Sequence, residues 1–97
     1  MKSLTDARAE LDAVDSQIVR LFEQRMEISR DVARYKIANH LPVLDRSREA
    51  QVLDSRASML ADPYWEGSVR ALYEAIMAIS RAEQKILLDQ AAQEERQ

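Results

Sequence analysis

The chain has 97 residues, no cysteine, one glycine, two prolines, 32% charged residues and a net charge of −3. This composition excludes disulfide and thiolate chemistry, disfavours sheets, whose turns need more Gly, Asn and Asp, and argues against nucleic acid as a partner. The N-terminus MKSLTDARAE has no apolar signal core and no apolar run nears membrane-spanning length, so the expected setting is a reducing cytoplasm away from any membrane.

The pattern predicts one all-α domain over residues 1–97, with helices in long, short, long order. The first helix is expected over about residues 4–38, with Ser3 as N-cap and Asp6 in the first turn. Asn39-His40-Leu41-Pro42 ends it, because proline disfavours a helical residue before it. The second helix is expected over about 46–61, capped by Asp45 or Ser47, and Ala61-Asp62-Pro63 breaks it. The third is expected over about 65–90, followed by a polar tail, 91–97, that frays.

Alternating strides of four and three along the first helix give one seam: Leu4, Arg8, Leu11, Asp15, Ile18, Phe22, Arg25, Ser29, Val32, Lys36. The flanking row Val14, Leu21, Ile28, Tyr35 is wholly apolar, which predicts that this face is buried. Cations in a low-dielectric seam are costly unless a negative group meets them. Asp15 can meet one of Arg8, Arg25 and Lys36; the others ask for an anionic ligand. A helix of about 35 residues is roughly 50 Å long, more than one short and one long partner can cover, so a second copy is expected. Arg25 and Lys36 are about three turns apart, but Arg8 lies about 25 Å from Arg25 along the rod and can join their site only from another chain.

The third helix repeats the stride with Tyr73, Met77, Ser80, Gln84 and Leu87, which places Ser80 and Gln84 one turn apart on an otherwise apolar face. At the entry to the second helix, Asp45-Arg46-Ser47-Arg48-Glu49 concentrates charge beside free backbone N–H groups. The sequence offers no nucleophile–base pair, no metal cluster and a single histidine, His40, in a loop; no metal or cofactor is expected. Such a set suits a reaction that needs charge placement and conformational restraint without covalent catalysis.

In order and separation these pieces resemble the all-helical class of chorismate mutases over residues 4 to 90 or so: Arg8 in ARAELDAVD, Arg25 in FEQRMEIS, Lys36 in ARYK, Asp45, Arg48 and Glu49 in PVLDRSRE, and Ser80 and Gln84 in IMAISRAEQ. The connection ADPYWEGS departs from the family pattern in the place of its proline. The resemblance implies an intertwined three-helix homodimer with two equivalent sites and the rearrangement of chorismate to prephenate for aromatic amino-acid biosynthesis. It implies that Arg25 and the other subunit's Arg8 clamp carboxylates, and that Lys36 and Gln84 face the ether oxygen. Glu49 would receive the ring hydroxyl, Arg48 and the Asp45 region would assist, and Ser80 would bind the ring carboxylate.

Each residue also has a plainer role. Arg8 could be a solvated first-turn residue, Arg25 a surface ion pair with Glu23 or Glu27, and Lys36 a helix C-terminal charge favoured by the macrodipole. DRSRE could be an ordinary charged helix start, and Ser80 and Gln84 interhelical hydrogen-bonding residues. Two other functions use the same features: an isochorismate pyruvate lyase on this scaffold, or a helical dimerisation or regulatory module of an aromatic-pathway enzyme, its polar seam fixing register.

Overall fold

The structure, a computed structural model, describes residues 1–96. Helix α1 is Leu4–Ala38, α2 is Arg46–Ser58 and α3 is Glu66–Glu95, with a 3-10 turn at Pro63–Trp65 leading into α3. The chain is thus all-helical in the expected long, short, long order, with no strand among the described residues.

Local chemistry sets the helix ends. Ser3 Oγ accepts from the Asp6 N–H at 3.1 Å and Asp45 Oδ1 accepts from the Arg48 N–H at 3.0 Å, so both helices open on a side-chain cap. At the end of α1, His40 takes a left-handed φ of 54°. The Leu41 N–H then reaches Lys36 O at 2.8 Å and the His40 N–H reaches Ile37 O at 3.3 Å. These are the paired bonds of a Schellman motif, formed here without a glycine. So the backbone itself turns the chain, ahead of Pro42. Helix α2 closes at Ser58, short of the expected 61, because the Met59 and Leu60 N–H groups bond three residues back, to Arg56 O and Ala57 O. Asp62 then caps the 3-10 turn through the Tyr64 N–H at 2.9 Å. Helix α3 continues to Glu95, through most of the segment expected to fray, since Ala91-Ala92-Gln93-Glu94-Glu95 are all good helix formers. Gln97 lies outside the described residues.

Helix α3 is the spine, packing against both α1 and α2. Arg70 on α3 ties the short helix on by holding Asp54 at 3.0 Å and its own helix's Glu66 at 3.1 Å. These two hydrogen bonds, Asp54's first, raise the guanidinium above its ordinary pKa. Among the described residues the buried apolar core is only Ala33, Val52 and Met77, matched by three buried polar residues, Ser29, Ser80 and Gln84.

The row expected to be buried is open in the single chain: Val14, Leu21, Ile28 and Tyr35 are all more than half exposed. The face that α1 turns toward α3 carries Ser29 and Ala33 instead, small residues one turn apart that let the helices approach closely. Apart from half-buried Ala7, residues 1–24 are exposed, so the first part of α1 projects as an arm. The molecule measures 63 × 27 × 14 Å with a radius of gyration of 17.5 Å, against about 13 Å for a compact domain of this length. Its 7862 Å² of accessible surface exceeds by about 2,200 Å² what a compact monomer of this mass exposes. Such a chain has left a large apolar surface unburied.

Candidate active site

Where the three helices meet, they line a solvent-open cavity of about 350 Å³, near the lower end of small-molecule clefts. Arg25 and Lys36 enter from α1, Arg48 and Glu49 from α2, and Ser80 and Gln84 from α3, with Asp45 at the lip. Seven of the eight site residues expected from the sequence therefore line one cavity. Arg8 does not; it sits exposed on the projecting arm, and Asp15 is likewise exposed and away from the cavity.

Helical phase explains the convergence. Lys36 follows Arg25 by eleven residues, three turns and therefore the same face. Lys36 is also in the last turn of α1, where its charge complements the exposed carbonyls. Its Nζ donates to Val43 O at 2.7 Å, which pins the α1–α2 connection, and to Gln84 Oε1 at 3.4 Å. The Gln84 Nε2 in turn donates to Ser29 Oγ at 2.9 Å. Lys36, Gln84 and Ser29 thus form one chain of hydrogen bonds across the α1–α3 contact.

A second network orients the arginines. Arg25 Nη1 donates to Ser80 Oγ at 3.2 Å, and the Ser80 hydroxyl points at Met26 Sδ, 3.8 Å away. The Arg25 and Arg56 guanidiniums each lie over the Tyr73 ring, 5.9 and 5.8 Å from its centroid. The ring's negative π-surface attracts both cations. On α2, Glu49 is gripped through both carboxylate oxygens by Arg81 Nη1, at 2.5 and 2.6 Å. Arg48 reaches Gln51 at 2.9 Å, so its side chain runs along α2 while its N–H is used by the Asp45 cap.

Five cations, Arg25, Lys36, Arg48, Arg56 and Arg81, line the cavity against two carboxylates, Asp45 and Glu49. Both carboxylates are engaged, one as helix cap and the other by Arg81. The remaining positive charge lines the cavity with hydroxyl and amide donors beside it, an arrangement chemically suited to a small dianion.

Three polar lining residues, Ser29, Arg56 and Arg81, are not among those the sequence singled out. Ser29 stands on the α1 seam between Arg25 and Lys36, where the sequence reading gave it no role. Arg56 follows Glu49 by seven residues, two turns along the same face, and Arg81 precedes Gln84 by three, one turn away. Those two spacings were the available signals.

The chain is 34% identical over 56 residues to the T-protein of Haemophilus influenzae, covering 58% of this chain and 15% of that protein. It is 34% identical over 79 residues to a 3-dehydroquinate dehydratase of Pyrobaculum aerophilum, covering 81% of this chain and 23% of that protein. The chain therefore spans less than a quarter of the length of either relative. No solved structure matches it significantly. The family pattern described as chorismate mutase type II matches residues 7–85, a stretch that contains Arg8, the three-helix cavity and every polar residue in it, and the chain belongs to that family.

Proposed function

We propose that this chain isomerises chorismate to prephenate by a Claisen rearrangement, as a homodimer with composite sites. The observation that carries the reading is the meeting of Lys36 Nζ and Gln84 at 3.4 Å in a cavity also lined by Arg25, Ser80 and Glu49. Chorismate carries two carboxylates, a ring hydroxyl and an ether oxygen. It reacts through a chair-like transition state in which the ether C–O bond lengthens as a new C–C bond forms. Arg25, held by Ser80 and Tyr73, is the preset fork for one carboxylate and selects the reactive conformer. Ser80 meets the ring carboxylate. Glu49 accepts the ring hydroxyl, with Arg81 fixing its carboxylate, and Arg48 and the Asp45 cap close that end. As the ether bond breaks, negative charge grows on its oxygen; Lys36 and Gln84 donate to it and hold it more tightly in the transition state than in the ground state.

The exposed surface supports the dimer reading. The excess of about 2,200 Å² per chain would place some 4,400 Å² in a two-chain interface, the size of obligate homodimers. The exposed arm carries Leu4, Leu11, Val14, Ile18 and Leu21, and Arg8 with them. Its burial on a second copy would bring Arg8 to the partner's cavity as a second carboxylate clamp. No helix of the structure is long and apolar enough to cross a membrane, and the absence of cysteine suits a reducing, cytoplasmic setting.

The test is loss of chorismate absorbance on adding purified protein, with the products identified. Prephenate as the sole product is expected. Pyruvate with salicylate from isochorismate would assign the scaffold to the lyase reaction, and no turnover of either would leave it a dimerisation module.

A further inference from the structure

We infer that Ser29 is a positioning residue for Gln84: its hydroxyl accepts from the Gln84 amide in the empty site and donates to it when substrate is bound. This rests on the proposed rearrangement and adds to it a residue that no part of that reading uses.

An amide has one donor end and one acceptor end, and its orientation decides what Gln84 offers the cavity. In the empty site Oε1 faces the Lys36 ammonium and Nε2 donates to Ser29 Oγ at 2.9 Å. That satisfies the amide but aims its acceptor at the place where an ether oxygen must be met by donors. Once Lys36 donates to that oxygen instead, Oε1 loses its partner. A half-turn about the last side-chain bond exchanges the two ends without moving α1 or α3. Nε2 then points into the cavity and Oε1 points at residue 29.

Only a group that both donates and accepts can serve the two states, and a hydroxyl does so by rotating. Ser29 and Gln84 are each 7% exposed, so water cannot readily replace either, and an unmet amide oxygen there would be costly. Ser80, one turn before Gln84 on α3, is already committed to Arg25 and Met26. Among the described residues the Ser29 side chain makes no other hydrogen bond than the one to Gln84.

The experiment measures chorismate turnover for Ser29→Ala in the wild-type chain and in the Gln84→Ala chain, with circular dichroism confirming helicity. Alanine keeps the small surface that α3 packs against and removes only the hydroxyl. The expected loss in kcat is about five- to tenfold, the worth of one ordinary hydrogen bond, with KM changed less than twofold. In the Gln84→Ala background the same substitution should change kcat less than twofold, because the group it positions is gone. A Ser29→Ala enzyme with wild-type kcat overturns the inference, as does an equal loss in both backgrounds, which would mark Ser29 as packing alone. A wild-type protein that leaves chorismate unchanged refutes the rearrangement itself, and is distinct from an active enzyme indifferent to Ser29.

Discussion

Removing Lys36 separates catalysis from folding more cleanly than any other change in the cavity, because its folded-state contacts are few and countable. Lys36→Ala deletes one charged hydrogen bond to Val43 O at 2.7 Å and a long one to Gln84 Oε1 at 3.4 Å. The side chain is half-buried and the Val43 carbonyl can turn to water, so the stability cost should be about 1–2 kcal/mol, including its place in the last turn of α1. The transition state loses more. A donor aimed at a developing oxyanion is worth about 3–4 kcal/mol, a factor of 10²–10³ in kcat. Lys36 should lie at the upper end, because a neutral replacement also leaves a dianion undercompensated. Lys36→Arg should rescue poorly, since a planar fork cannot take the place of a compact ammonium wedged between Val43 and Gln84. The assay is kcat and KM from chorismate absorbance, beside a urea titration followed by circular dichroism. A Lys36→Ala enzyme within about threefold of wild-type kcat would refute the role, whatever its stability.

Gln84→Glu places an ionisable group where a neutral donor is needed; its activity should rise as pH falls from 8 to 4.5, since only the protonated carboxyl can donate to the ether oxygen. Full activity at pH 8 would contradict this. Refolding an equal mixture of Arg8→Ala and Arg25→Ala chains should restore about one intact site per heterodimer, read as activity above either parent. Gly67→Ala should stabilise by about 0.4–1 kcal/mol in a urea or thermal titration, because Gly67 is helical in the first turn of α3, a Cβ there meets nothing within 4 Å, and alanine narrows the unfolded ensemble.

The starts of α1 and α2 could be read in the sequence because each is decided by its own few residues: a serine or aspartate in front, and a backbone N–H three positions on; α3, which follows Trp65 without a side-chain cap, offered no such signal. The end of α1 was legible for an incomplete reason. Pro42 was the visible signal, but the turn is made two residues earlier by His40, whose left-handed conformation no pattern rule assigns to histidine in advance. The site could be read where a polar residue interrupted an apolar stride, which is how Arg25, Lys36, Ser80 and Gln84 stood out. Arg56 and Arg81 did not, since both sit among other polar residues and only the approach of α2 to α3 aims them inward. The buried face of α1 was misplaced within the chain for a related reason. A large apolar stripe shows that something must cover a helix, but not whether its own chain does so; α3 chose the smaller Ser29–Ala33 face.

That choice constrains the proposed assembly. Helix α1 has two apolar uses: its C-terminal half builds the cavity with α2 and α3, while its N-terminal arm has no partner in its own chain. The exposed row Val14, Leu21, Ile28, Tyr35 repeats every seven residues and runs through both halves, the pattern of a helix that pairs along its length with another. Parallel pairing would set each arm against the other arm and leave Arg8 beside Arg8, two cations with no shared anion. Antiparallel pairing sets the arm of one chain against the cavity half of its partner. If Arg8 then stands opposite a point midway between Arg25 and Lys36, the two-fold axis crosses α1 about halfway between, near Val19, roughly 16 Å of helix from either position. Both apolar demands and the unused cation are met by the same crossing. In the proposed assembly an arm without a core of its own would lend its apolar face to the partner's fold and its arginine to the partner's site.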